Sequence, residues 1–119
     1  MTEQRFVGVA PAAYAALGLV LAELRGETAK ALNIQASQAQ VIREVPYRMI
    51  DLDVPAGSPP GECSDGPLPA RAAIVGEGGR FVGELLVWVM SGRLISLEQA
   101  WFTDEPPGRW PSGGELVFQ

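Results

Sequence analysis

The most informative pattern in this chain is a pair of long apolar stretches, residues 81–90 and 93–102, joined by Ser91-Gly92. Strands joined by a two-residue turn that contains glycine form a β-hairpin, and the short turn fixes which residues lie opposite each other. Side chains alternate between the faces of a strand, yet both faces of this hairpin are apolar. Each face therefore needs a cover, which we expect to be helices on one side and more sheet, the tail or a partner chain on the other.

The hairpin register predicts which large side chains share a face. With Met90 opposite Arg93, Trp88 and Trp101 lie on one face. Glu98 falls on the other face, in mid-strand among phenylalanine and leucine side chains, where a buried carboxylate needs hydrogen-bond donors. We expect a structural carboxylate at the margin of the core, with a ligand-binding or catalytic role as the alternative.

The first forty residues show helical spacing rather than strand alternation. A helix is predicted from about residue 10, where Pro11 suits the first turn, to residue 24, before Arg25-Gly26. A second helix is predicted over residues 27–40, with an acidic first residue at the positive end of the helix dipole. The apolar stripes of the two helices are Tyr14, Leu17, Leu21 and Leu24, and Ala29, Leu32, Ala36 and Ala39.

Short extended pieces follow at residues 41–45, 48–54 and 68–75. The segment 55–67 between the last two is so rich in proline and glycine that we predict a long, exposed and mobile loop. These elements predict an α+β fold in one domain over residues 1–119. It consists of an N-terminal helical pair packed on an antiparallel sheet of about four strands, with a Pro/Trp-rich C-terminal tail across the other face or an edge.

The charge balance narrows the choice of partners. A net charge of −5, with nine scattered basic residues, provides no basic patch for phosphates, so we expect no nucleic acid partner. An acidic domain suits a basic protein surface, although the same charge also serves simple solubility. No apolar run reaches membrane-spanning length, the first residues lack signal-peptide order, and the one cysteine agrees with a reducing compartment. We therefore expect a cytoplasmic protein with no membrane contact.

The chain lacks the residues on which most catalytic and metal sites depend. It contains no histidine, which removes the usual general base and the usual ligand of transition metals. Cys63 lies between Glu62 and Asp65, whose charges raise rather than lower a thiol pKa, so we expect an unreactive thiol. The glycine-rich pieces at 76–79 and 113–114 lack the features of a phosphate loop. We expect no cofactor and no metal.

Carboxylates are the remaining candidates for chemistry. Asp51 and Asp53 share one face of a predicted strand, and the apolar residues between them predict that this is the solvent face. Asp104 precedes Pro106-Pro107 at the exit from the hairpin, where acidic residues commonly accept hydrogen bonds in turns. Glu98 and Asp104 are the best candidates for an enzyme or a small-ligand site built from carboxylates alone.

Tryptophan supplies the candidate binding surface. Trp88 and Trp101 share a predicted face, and Trp110 is close enough in sequence to fold back toward it. Packing into the core and contact with a partner both explain such a face, because interfaces are also rich in tryptophan and poor in charge.

The C-terminal half resembles small uncharacterised proteins of high-GC actinobacteria. The resemblance is carried by residues 83–98, by Trp-Phe-Thr-Asp-Glu-Pro-Pro at 101–107 and by Trp110-Pro111. Leu32, Gln35, Ala39 and Val41, followed by Ile50-Asp51-Leu52, are similar to the N-terminal half of that group. Many of its members carry cysteines where this chain has Pro46-Tyr47-Arg48, so any role of those cysteines does not transfer. The resemblance implies an architecture and no activity.

Taken together, these observations favour a non-enzymatic, cytoplasmic protein-binding module, most concretely an immunity protein or antitoxin-like inhibitor that covers a basic surface. The predicted binding residues are Trp88, Trp101, Trp110, Glu98 and Asp104. Two alternatives remain: a small-ligand-binding protein or carboxylate-only enzyme that uses Glu98 and Asp104, and a structural homodimer.

Overall fold

A computed structural model describes the chain over residues 9–118, with side chains from Pro11 onward. Two helices, α1 (Val9–Leu21) and α2 (Gly26–Gln38), confirm the predicted helical pair. Gly26 has a φ of 77° and begins α2 after the short connection, a conformation that glycine adopts without strain. Both helices pack on an antiparallel sheet, so the α+β class is confirmed.

The sheet has seven strands, where the sequence predicted about four. The strands are β1 (Gln40–Val45), β2 (Met49–Asp53), β3 (Gly66–Pro67), β4 (Ala72–Val75), β5 (Phe81–Met90), β6 (Arg93–Trp101) and β7 (Leu116–Phe118). Their order in the sheet is β1-β2-β6-β5-β4-β7, and β3 pairs with the end of β5 that adjoins the hairpin turn. The sequence missed β3 and β7, which have two and three residues and are too short to give a periodic pattern.

The central hairpin, β5–β6, has the predicted turn but not the predicted register. Ser91 and Gly92 both have positive φ, as a two-residue hairpin turn requires, and Met90 lies opposite Arg93. Trp88, however, lies opposite Ser96, because a β-bulge places Ile95 as an extra residue in β6. From the bulge onward every β6 side chain is therefore on the face opposite to the predicted one.

This bulge corrects the predicted tryptophan face. Trp101 lies opposite Gly83, and Glu98 lies opposite Leu86 on the face that also carries Trp88. Trp88 and Trp101 are thus on opposite faces of the sheet. The alternation of apolar and polar residues did not reveal the shift, because both faces of the hairpin are apolar and either register buries similar side chains.

One face of the sheet forms the core. Both helices and Trp110 join a single buried cluster with this helix-covered face. The described chain is only 21 Å thick along its shortest axis, which accommodates one sheet and one layer of helices at about 10 Å per layer. The buried sheet residues of this cluster are Ile50, Leu52, Ala72, Ile74, Leu85, Val87, Val89, Leu94 and Leu97.

Hydrogen bonds hold the segment 55–67 against α2 and the hairpin turn, while most of its residues are exposed, as the sequence predicted. Its predicted mobility stays a prediction. Gln35 of α2 is fully buried, and its amide nitrogen donates to the carbonyl oxygens of Pro59 and Gly92, both at 2.8 Å. The Gln35 side-chain oxygen accepts from the Leu94 N–H at 2.9 Å. Gly61 also donates to the Gly92 carbonyl, at 2.8 Å. One glutamine thus ties a helix, the proline-rich segment and the hairpin turn together.

The C-terminal tail returns to the helix-covered side. Trp110 is 4% exposed and lies in the core on the helix-covered side, so it anchors the tail there rather than beside Trp88. Gln99 of β6 donates to the carbonyl oxygens of Tyr47 and Arg109, at 2.6 and 3.1 Å, and so fastens the tail to the β1–β2 turn. The tail then pairs with β4 as β7, which confirms the predicted edge position.

Candidate functional site

The face of the sheet opposite the helices is the first candidate, and we call it the open face. Strand pairing defines its members from the central strands outward. They are Glu84, Leu86 and Trp88 of β5, Ser96, Glu98 and Ala100 of β6, Met49 and Asp51 of β2, Ala73 of β4 and Val117 of β7. The face is a mixture of apolar and acidic side chains.

A tryptophan and a carboxylate form the centre of the open face. The Trp88 indole N–H donates to Glu98 Oε1 at 2.9 Å, so the indole donor has the partner that a half-buried tryptophan needs. Leu86 lies opposite Glu98 and two residues before Trp88 on the same face, and it is only 8% exposed. We expected a mid-strand carboxylate to need a hydrogen-bond donor, and Glu98 receives one from the indole of Trp88.

Acidic groups outnumber basic ones around this centre. Asp51 and Asp53 alternate with the buried Ile50 and Leu52, which confirms that the two aspartates face away from the core. Arg43 of β1 lies 3.8 Å from Asp51, a pair that is partly exposed and weak. Glu84 and Glu98 add two more carboxylates, so the open face carries a net negative charge.

Large apolar side chains stand exposed at the rim of the open face. Met90 at the hairpin turn is 55% exposed and Val117 of β7 is 44% exposed. Phe102, 64% exposed, donates its N–H to the Val82 carbonyl and so continues the β6 ladder on this side. An apolar centre and rim interspersed with carboxylates is suited to a partner that is both apolar and basic.

A pocket of about 260 Å³ is the second candidate, and we call it the tail pocket. It lies between the tail and the end of the hairpin. Gly83 forms part of its lining, and a Cβ there would collide with the Ala100 carbonyl oxygen, so the position requires glycine. The side chains that bear on its chemistry are Gln99, Trp101, Thr103, Glu105, Arg109 and Glu115.

An ion pair holds the rim of the tail pocket. Arg109 donates to both carboxylate oxygens of Glu115, each at 2.6 Å. The Ser112 N–H and hydroxyl donate to the same carboxylate, in the capping box of a short helical turn. The hydrogen bond from Arg109, and then that from the Ser112 backbone, lower the pKa of Glu115 to about 2.

Trp101 forms one wall of this pocket. The Arg48 guanidinium lies 5.6 Å from the centre of the indole ring, within range of a cation–π interaction. Gln99, which also lines the pocket, is only 3% exposed. Neither side chain was predicted to line a pocket, because the bulge and the return of the tail bring them together from distant parts of the sequence.

The predicted site residues therefore lie in three places. Trp88 and Glu98 are in contact on the open face, Trp101 lines the tail pocket, and Trp110 is in the core. Asp104 is exposed in the tail. Sequence reasoning missed Gln35 and Gln99, two buried amides for which local pattern gave no signal. It also missed Arg109–Glu115, although Ser112 and Glu115 have capping-box spacing.

Cys63 contacts the margin of the core and is half-buried. Burial, and then the charge of Asp65, raise the pKa of its thiol. This direction is the one expected from the acidic neighbours in the sequence. Within residues 9–118, no three acidic or cysteine side chains are arranged to hold a metal ion. In the same range, no helix has the length and apolar character to cross a membrane.

No protein-family model, curated protein or solved structure matches this chain. The resemblance to small actinobacterial proteins therefore stays a prediction. The open face and the tail pocket are the features from which a function has to be argued.

Proposed function

We propose that this chain is a non-enzymatic, cytoplasmic protein-binding module whose open face docks on a basic protein. The most concrete form of this proposal is an immunity protein or antitoxin-like inhibitor, which covers the working surface of a basic toxin or nuclease. Such a protein needs no cofactor and no nucleic acid contact, because its activity consists of occupying a surface.

The observation that carries the proposal is the composition of the open face. The helices and Trp110 all join the cluster on the other side of the sheet, so within residues 9–118 the neighbours of Trp88 and Leu86 on the open face are side chains of the strands. A half-buried tryptophan at the centre, with exposed Met90 and Phe102 at the rim, has the anatomy of an interface.

Charge decides the kind of partner. Among the side chains that the described strand pairing places on this face, the carboxylates of Asp51, Asp53, Glu84 and Glu98 outnumber the two basic groups, Arg43 and Arg93. Arg43 lies near Asp51, and Arg93, near the turn, donates to the backbone carbonyls of the segment 55–67. A surface with this balance attracts a basic partner and accelerates its association at low salt.

The test uses charge reversal on the open face with a matched control. The partner is captured from a lysate of the source organism and purified, and its affinity is measured for the wild type and for the variants Glu84→Lys and Asp53→Lys. Glu23→Lys makes the same change of charge at an exposed site between the helices. We expect about tenfold or greater weakening for both open-face variants, little change for Glu23→Lys, and weaker wild-type binding as salt rises.

Equal effects from Glu23→Lys and the open-face variants would contradict the proposal, because they would show a response to net charge alone. A wild-type dimer that dissociates when Trp88 is changed to Arg would contradict the docking function and favour the structural homodimer instead. Turnover of a small molecule that is lost on Glu98→Gln, with an unchanged melting temperature, would replace it with the carboxylate enzyme that uses Glu98 and Asp104.

A further inference from the structure

A buried side chain that lines the tail pocket has an open hydrogen-bond acceptor. The Gln99 amide nitrogen is committed to the carbonyl oxygens of Tyr47 and Arg109. Its Oε1 atom accepts no hydrogen bond from the part of the chain that the structure describes. Among the described residues, the fully enclosed polar side-chain atoms that lack a hydrogen-bond partner belong to Glu44 and Trp110. The Gln99 oxygen is not one of them, so protein does not enclose it completely. A side chain that is 97% buried by residue area thus keeps one acceptor free in a cavity.

Part of the lining of the tail pocket is apolar. Trp101 supplies an aromatic side chain, Ile74 an aliphatic one, and the tail adds Pro107 and Pro111. Gly83 contributes no side chain, which leaves room beside the backbone of the hairpin. A planar ring suits this part of the lining, because aromatic rings stack favourably on indole and on aliphatic neighbours.

The charges at the pocket select against an ionic ligand. Arg109 and Glu115 neutralise each other through two short hydrogen bonds. Glu105 on the tail is exposed, and so is Arg48, whose guanidinium lies over the Trp101 ring, so water screens both charges. A charged ligand in the interior would therefore lose hydration without gaining a counter-ion, which is unfavourable. A neutral ligand with one donor for Gln99 Oε1 avoids that cost.

We propose that the tail pocket binds a small, flat, uncharged nitrogen heterocycle through a ring N–H that donates to Gln99 Oε1. The volume of about 260 Å³ lies just below the roughly 300–1,000 Å³ usual for ligand pockets, so one or two fused rings match its size. This site is separate from the open face, and the proposal does not depend on the protein-binding function.

Indole and benzofuran are the matched probes, because they have nearly the same shape and only indole has a ring N–H. Binding is followed by fluorine NMR of the full chain labelled with 5-fluorotryptophan, which gives one resonance for each of its three tryptophans. We expect indole to shift the Trp101 resonance saturably at about millimolar concentration, and benzofuran to bind about three- to tenfold more weakly. The Trp88 resonance on the open face should not respond to either probe.

N-acetyl-tryptophan amide tests the source of the ring. If this probe binds more weakly than indole, the natural ligand is a free small molecule. If it binds as tightly as indole, the ligand is a tryptophan side chain of another protein, with the same contact to Gln99. Filling the pocket by Ile74→Phe should abolish the indole shift, whereas Ile34→Ser on the exposed side of α2 should preserve it. Equal affinity for indole and benzofuran, or no saturable shift of Trp101 up to the solubility of indole, would overturn the proposal.

Discussion

At the residue scale, buried polar side chains hold the fold together where hydrophobic packing does not specify it. Gln35 and Gln99 are both nearly fully buried, and both donate to backbone carbonyls of loops and turns, while Gln35 also accepts from the Leu94 N–H of β6. Such side chains are strongly coupled to the fold, because removing one leaves backbone groups buried without partners.

Replacing Gln35 by leucine should strongly destabilise the protein. The change leaves the Leu94 N–H and the Pro59 carbonyl without their side-chain partner, so we expect the free energy of unfolding to fall by about 2–4 kcal/mol. Urea unfolding measures the difference. Asn33→Leu on the exposed side of the same helix is the control, with an expected change within about 0.5 kcal/mol. Similar unfolding midpoints for the two variants would show that the Gln35 hydrogen bonds contribute little.

The Arg109–Glu115 pair should make stability depend on acid pH. The folded-state pKa of Glu115 is about 2, below its ordinary value of 4.5, so folding favours the ionised form. The resulting stabilisation is complete above pH 4.5 and is lost as the pH falls toward 2, because the unfolded state binds the proton first. The melting temperature of the wild type should therefore exceed that of Glu115→Gln at pH 7, with a difference that shrinks between pH 4.5 and 2. A difference that stays constant down to pH 2.5 would contradict this role for the carboxylate.

At the scale of elements, the sequence predicted the helices, the long hairpin and its turn, because each extends over many residues of regular pattern or has distinctive turn chemistry. It did not predict the bulge at Ile95, since a shift of one residue in a doubly apolar hairpin exchanges one apolar face for another. Nor did it reveal the hydrogen bonds that hold the segment 55–67, for a related reason. Its composition is that of a flexible chain, while the groups that fix it, Gln35 and Gly92, lie elsewhere in the sequence.

Cys63 reports on the packing of this segment. Its thiol is half-buried, and burial together with the charge of Asp65 raises its pKa, so little thiolate is present at neutral pH. We expect reaction with an aromatic disulfide reagent at pH 8 to be about tenfold or more slower than for free cysteine. In concentrated urea the same thiol should react at the free rate, which serves as the control. A native rate equal to that of free cysteine would mean that the segment is mobile after all.

At the scale of the whole molecule, the chain is a two-layer structure with unequal faces. All of the described helical cover is on one side, and the acidic, apolar open face is on the other. The three tryptophans report on three separate regions: Trp88 on the open face, Trp101 at the tail pocket and Trp110 in the core. The proposed docking function makes these regions respond differently to a partner.

Fluorine NMR of the chain labelled with 5-fluorotryptophan tests that function most directly. Addition of the purified basic partner should shift or broaden the Trp88 resonance, because docking on the open face changes the surroundings of that indole. The Trp110 resonance should stay unchanged, and so should that of Trp101 on the opposite face. Binding of the partner with a shift at Trp101 and none at Trp88 would contradict the account, since the contact would then lie at the tail rather than on the open face.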